Sequence, residues 1–156
     1  RTGGFRLEGH FAVSDDTLEE YVLRFGPSPE DSVDYSGNRV ALFPTDTGRL
    51  RLSYEAGRWR AGVGVRRVGR IYLDNSENER KDEAAREAPG YVDKTIEPHT
   101  LADADLAVQL SGRPGARGLS LELHADNLLD EQYEEVLGYP ALGRAVRAGL
   151  RFRSGH

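Results

Sequence analysis

Glu122, His124 and Asp126 fall at alternate positions of one segment, and side chains spaced in that way can converge on a metal ion. Asp15-Asp16 with Glu19-Glu20 brings together carboxylates of the kind Ca²⁺ takes, but without the glycine-containing loop of an EF-type site. Arginines recur throughout the neighbouring segments, so the first group is read as their partners, the second is read as a charged loop edge, and no metal is assigned. Acid–base chemistry needs only two carboxylates, which a chain with 30% charged residues offers everywhere. A Ser-His-Asp context, a phosphate-cradling glycine loop and a Cys/His ligand set do not occur. Neither enzymatic activity nor a cofactor is expected. Side chains suited to binding gather in three stretches instead. The first holds Tyr21, Asp34, Tyr35, Asn38 and Arg39, and the second Tyr72, Asp74, Asn75, Arg80, Tyr91 and His99. Tyr139 and Arg144 lie in the third. Aromatic rings and guanidinium groups suit anionic, ring-bearing ligands.

The elements between these stretches alternate with a period of two, the signature of strands with one apolar and one polar face. The closing segment sets Val146, Ala148, Leu150 and Phe152 against Arg147, Gly149, Arg151 and Arg153. Five earlier segments read alike: Phe5 to about Ser14, about Gly48 to Tyr54, a strand starting at Trp59, Ala102 to Leu110, and Leu119 to Asp126. The expected fold is therefore all-β, an antiparallel up-and-down meander of about six strands. Connections alternate in length. Glu55-Ala56-Gly57-Arg58 and the stretch from Ser111 to Gly118 are short turns, whereas Asp15 to Thr47 and Asp74 to Thr100 are long. Long loops at one edge and short turns at the other is the layout of an outer-membrane barrel. The charge run from Glu77 to Glu87 is read as a solvated loop, although it could hold a helical turn or two before Pro89-Gly90.

Composition narrows the classes further. The chain has 156 residues, 38% of them hydrophobic, enough for one domain. No apolar run approaches the roughly 18 residues of a membrane helix, which excludes a helical membrane protein but not a barrel. There is no cysteine and hence no disulfide or thiolate chemistry. There is no methionine, and the first residue is Arg1, which leads us to expect a processed or excised piece. A net charge of −5 argues against nucleic acid as a partner. Lys81 and Lys94 apart, the cations are arginines, which keep their charge and form forked pairs with carboxylates.

Asn127, Leu128, Leu129, Asp130, Tyr133, Gly138, Tyr139, Pro140, Gly143 and Arg144 precede the last alternating strand. In this order they resemble the C-terminal end of a TonB-dependent outer-membrane receptor. Upstream, Asp34-Tyr35-Ser36-Gly37-Asn38-Arg39 followed by Pro44 resembles the family's Gly-Asn-(Arg/Lys) loop. Arg67-Val68-Gly69-Arg70 with Tyr72-Leu73-Asp74-Asn75 resembles its Arg-Tyr-Val-Gly strand end, and Ala102-Asp103-Ala104-Asp105-Leu106 its Val-Asp-Ala-Arg-Leu strand. The resemblance implies the C-terminal part of a transmembrane barrel of about 22 strands. The plug and the segment that meets the energy-coupling TonB protein would lie N-terminal to Arg1. It implies active uptake of a scarce ligand, first among them a ferric siderophore or other iron chelate. It also implies contact with outer-membrane lipid, and with the barrel-assembly machinery through the last strand. Two departures stand out. The family usually ends on an aromatic residue, whereas Phe152 is followed by Arg153-Ser154-Gly155-His156, and Arg67 stands where a strand-end aromatic is expected. The alternatives are a soluble β-rich binding module and a passive porin-type barrel.

The costs of placing arginine choose between the faces. Arg49, Arg51, Arg60, Arg66, Arg147 and Arg151 would each cost several kcal/mol in a dry core unless paired. Facing lipid at mid-membrane would cost about 2–4 kcal/mol each. A hydrated lumen removes both costs, so the Leu, Val, Ala and Phe face is assigned to lipid. Tyr54 and Trp59 flank the first short turn as an interfacial belt would. That places the short turns and the C-terminus in the periplasm of a Gram-negative bacterium and the long loops outside the cell.

Overall fold

The computed structural model describes residues 3–77, 87, 89–91, 93–112 and 117–154. Its main body is one antiparallel sheet of six long strands. These are β1 (Gly4–Val13), β4 (Asp46–Ala56), β5 (Trp59–Val68), β8 (His99–Gln109), β9 (Gly118–Asp126) and β12 (Ala145–Arg153). They lie in the order β1-β4-β5-β8-β9-β12, so every long strand pairs with its neighbour in sequence, and the two outer strands leave open edges. Three short ribbons sit in the long connections: β2 (Val22–Arg24) with β3 (Ser32–Asp34), β6 (Ile71–Tyr72) with β7 (Thr95–Ile96), and β10 (Glu134–Val136) with β11 (Tyr139–Pro140). No described residue is helical.

The expected up-and-down meander is thus present, and each predicted strand matches a long strand. The boundaries differ at one end. β4 starts at Asp46 rather than Gly48, and β8 at His99 rather than Ala102. The extra residues pair with each other's neighbours, Thr47 with Val68 and Val68 with His99. Such pairing depends on the adjacent strand and leaves no mark in a single segment's alternation. The first short turn tightens to the two residues Gly57-Arg58, with Ala56 opposite Trp59 and Gly57 at φ +56°. A glycine suits that left-handed position in a two-residue hairpin.

Register aligns like with like across the middle of the sheet, and the pattern breaks towards the long-loop end, where Arg66 pairs with Leu101 and Arg67 with Gly48 and Thr100. One row runs Leu7, Leu52, Val63, Ala104, Ala125, Val146 from edge to edge. The next row runs Phe5, Tyr54, Ala61, Leu106, Leu123, Ala148 on the same face. Between them, on the opposite face, lies Arg6, Ser53, Gly62, Asp105, His124, Arg147. A slip of one residue in any pair would mix the faces, so the pattern specifies the register.

Burial is inverted relative to a water-soluble domain. Among the described residues, the buried hydrophobic side chains are Ile96 and Leu101, under the loops at the long-loop end. The apolar rows lie open instead, most of all on the outer strands: Phe5 is 75% exposed and Val146 71%, against 36% for Leu106 in the middle of the sheet. Buried polar residues, by contrast, include Glu77, Thr95, His99, Glu122 and Asn127.

Candidate functional site

The polar face is a lattice of charge pairs, and two glycines make its centre possible. Arg51 on β4 reaches across β5 to Asp103 and Asp105 on β8, at 3.4 Å from Asp103 and in a closer contact with Asp105. The strand it crosses presents Gly62 and Gly64. A Cβ at Gly62 would run into the Arg51 guanidinium and come within 2.8 Å of Asp105, and one at Gly64 within 2.8 Å of Asp103. The Gly-Val-Gly-Val alternation therefore serves both faces, valines outward on the apolar side and bare backbone inward.

Glu122 on β9 is a second hub. It lies 2.9 Å from Arg151 on β12, 3.9 Å from Arg60 on β5 and 4.0 Å from His124. Arg147 meets Asp126 at 2.5 Å. Beside these pairs a cleft of about 700 Å³ opens, lined by residues that include Arg6, Glu8, Arg51, Arg60, Asp105 and His124. Its mixed charge suits hydrated, polar contents. No group of His, Asp or Glu among the described residues stands where it could hold a metal ion. Glu122 and Asp126 face arginines instead, and Asp15 lies 3.4 Å from Arg39.

At the long-loop end, the first and second loops interlock. Asn38 donates to the Asn75 carbonyl at 2.7 Å, and the Asn75 side chain accepts from the Ala41 amide at 3.0 Å. The Arg39 amide donates to the carboxylate of Glu77, and the Arg39 side chain donates to the Ser14 carbonyl at 2.8 Å. Glu77 is the most buried of the large side chains and sits at φ +43°. Asn38 and Asn75, predicted as ligand contacts, thus join the first loop to the second, as does the Arg39 amide, while the Arg39 guanidinium turns back to Ser14 and Asp15. Asp34 turns back on Ser36, which holds its carboxyl below the usual range.

Asp74 receives Lys94 at 2.7 Å and the Ser76 amide at 2.9 Å. Burial pushes the Asp74 carboxyl up, but the hydrogen bonds from Lys94 and Ser76 outweigh it and hold it at about 2. Asp74 in turn holds the Lys94 ammonium above its ordinary range, with a smaller contribution from Tyr35. The Tyr21 and Tyr35 rings lie 6.0 Å apart. Tyr21, Tyr35, Asp74 and Lys94 thus form one group of ligand-type side chains in the described loops. Lys94 was missed in sequence because a single lysine between two loops carries no motif. Tyr72 lies in β6, and Tyr91 is half-buried beyond the charge run. Arg80 and the charge run over 78–86 lie outside the described residues.

The third loop is organised by the residues that carried the family resemblance. Asn127 adopts φ +49° and Asp130 φ +56°, left-handed positions that Asn and Asp tolerate better than most residues. The Asn127 side chain accepts from the Glu131 amide at 2.9 Å and donates to the carbonyls of Glu131 at 3.0 Å and Leu142 at 3.4 Å. The Leu128 amide donates to Ala102 at 2.8 Å, and Asp130 accepts the Arg144 amide at 2.9 Å. A Cβ at Gly143 would press on Asp130 at 3.2 Å. Gly138, at φ +78°, donates its amide to Glu134 at 2.8 Å, and Pro140 pairs with Glu134. Arg144 is therefore part of the loop's frame, with its guanidinium 4.0 Å from Asp130. Tyr139 projects openly, at 74% exposure.

His99 requires a correction. It is expected in the second loop, but it is the first residue of β8, buried, with its ring 4.5 Å from that of Tyr133. That stack, and an ion pair of 3.4 Å between Arg66 and Glu135, tie the third loop to β5 and β8. Neither contact joins residues near in sequence.

Comparison with known proteins finds no match. That holds for protein-family profiles, curated proteins and solved structures alike. The functional reading therefore rests on this chain's own geometry.

Proposed function

We propose that the chain is the C-terminal part of a transmembrane β-barrel in a Gram-negative outer membrane, belonging to a TonB-dependent receptor. The whole protein would take up a scarce ligand, an iron chelate first among the candidates. One observation carries this reading: six strands in register place continuous apolar rows on a bare face and charges on the other. Each large apolar side chain left in water forgoes about 1.5–3 kcal/mol. Hydrocarbon on that face recovers this, and water on the other keeps the Arg51 and Glu122 networks solvated. Open edges on β1 and β12 fit strands that continue into a larger closed sheet, since unpaired edges in water invite aggregation.

The third-loop frame built on Asn127 supports the receptor assignment, because the residues of the resemblance do connected structural work there. Tyr21, Tyr35, Lys94 and Tyr139 are the side chains offered to a ligand at the extracellular end. The TonB protein would engage a region outside this chain, and the assembly machinery would engage β12. The test is a label scan along Ala145 to Phe152 in the protein at its cellular length, using lipid-borne and water-borne quenchers. Val146, Ala148, Leu150 and Phe152 should respond to the lipid quencher and Arg147, Gly149 and Arg151 to the aqueous one. Uniform access to the aqueous quencher would overturn the membrane reading. Uptake that persists without the TonB protein would overturn the receptor reading while leaving the barrel intact.

A further inference from the structure

Three nitrogen-bearing side chains stand in one row at the long-loop end of the polar face. His10 on β1 pairs in register with Arg49 on β4, and Arg49 pairs with Arg66 on β5. They share the face of Arg51, because Arg49 stands two residues from it and strand side chains repeat every second position. All three are exposed. Side chains directly opposite on neighbouring strands have Cβ atoms about 4.5–5.5 Å apart, and like charges there repel. Elsewhere on this face arginines meet carboxylates, Arg51 with Asp105, Arg151 with Glu122 and Arg147 with Asp126. Here the register sets arginine against arginine. The neighbouring rows supply no free acid. On one side Glu8 pairs with Arg6 at 2.9 Å and Asp103 with Arg51 at 3.4 Å. On the other stand Ala12, Thr47, Val68 and His99. Among the described residues, neither the His10 nor the Arg49 side chain has a hydrogen-bond or ion-pair partner. Arg66 meets Glu135 at 3.4 Å, with both side chains open to water, a contact that holds weakly.

We propose that His10, Arg49 and Arg66 form a binding site for an oxyanion, a carboxylate or phosphate group borne by the ligand that the protein takes up. The inference rests on the reading of the polar face as a hydrated wall below the extracellular loops. Each guanidinium presents a planar fork of N–H groups that matches the paired oxygens of such a group, and the His10 imidazole offers a further N–H. The anion would lie where two arginines otherwise repel, so binding relieves a cost built into the register. Arg49 is the centre of the site, since it touches both flanking strands and has no acid to give up. Arg66 would exchange Glu135 for the ligand.

The experiment titrates the protein, at its cellular length and folded in uncharged detergent micelles, with inorganic phosphate and separately with citrate. Calorimetry reads the binding, against sodium chloride of equal ionic strength. Saturable binding of an oxyanion is expected, and the tighter of the two probes tells a phosphate site from a carboxylate site. Arg49→Gln should weaken it about tenfold, the effect of losing a charge-assisted hydrogen bond in an exposed site. Arg49→Lys should weaken it less, because the charge stays while the fork is lost. Glu135→Gln should tighten binding by releasing Arg66. Arg147→Gln, on the same face but paired with Asp126, should leave it unchanged. A response to both probes no greater than to sodium chloride would overturn the proposal, as would an affinity that Arg49→Gln leaves intact. A label on a Thr47→Cys variant, one row away on the same face, should be reached by a water-borne quencher. If it is reached and neither oxyanion binds, the site alone falls. A label reached only from lipid would instead overturn the reading of a hydrated wall beneath it.

Discussion

Replacing Gly62 with alanine places a methyl group where the Arg51 guanidinium crosses β5 on its way to Asp105. The backbone at Gly62 is ordinary strand, so the damage comes from the lost crossing and not from an unusual φ. A charge-assisted hydrogen bond is worth about 1.5–3 kcal/mol. The Arg51 and Asp105 side chains are 27% and 20% exposed, which keeps the bridge near the lower end of that range, about 2 kcal/mol. Alanine itself returns about 0.5–1 kcal/mol over glycine inside a strand. The single variant should therefore lose about 1 kcal/mol. With Arg51→Met in place, the added methyl group has only the Asp105 carboxylate to move, 2.8 Å away and no longer held by a guanidinium, and Gly62→Ala should be close to neutral. The assay is a double-mutant cycle by urea titration of the protein refolded in detergent micelles. A coupling of about 1 kcal/mol is expected between the two sites. Additive effects, or an equal loss from Gly62→Ala in both backgrounds, would refute the crossing as the reason for the glycine.

Three further expectations follow from other parts of the molecule. Asn127→Ala should cost about 2–4 kcal/mol by removing the side-chain bonds to Glu131 and Leu142 at a left-handed position. Asn127→Gly should recover only the backbone part, and hydrogen exchange over 128–144 will register the loosened loop. Glu122→Gln weakens the contacts to Arg151 and Arg60, whose side chains are about half exposed, and should lower the urea midpoint by an amount equivalent to about 1–2 kcal/mol. An unchanged midpoint would show that the hub contributes only solvation. Asp74 has a folded-state pKa depressed from 3.8 to about 2, so its contribution is fully present above pH 3.8 and is lost as the pH falls toward 2. Proteolysis of the second loop should accelerate across that window, and Asp74→Asn should remove the pH dependence.

The limits of legibility follow the range of each interaction. The sequence alone determined the six long strands, their alternating faces, their sequential pairing and the unequal lengths of their connections. Each of these is written within a few residues as a period of two and a turn signal. It also marked the third-loop residues as a unit, since Asn127 and Asp130 act on partners at most a short loop away. What the alternation left open was the purpose of single positions. Nothing in the segment from Trp59 onward explains Gly62 and Gly64 until Arg51 is seen passing over them. Asn38 and Asn75 carry no sign of each other until the second loop is found bonded to the first. His99 reads as a loop residue until Val68 pairs with it and Tyr133 covers it. In each case the deciding partner comes from a different strand or loop. Tertiary structure alone decided these roles, because register across the sheet sets which side chains meet, and a segment's own periodicity records only the face on which each one lies.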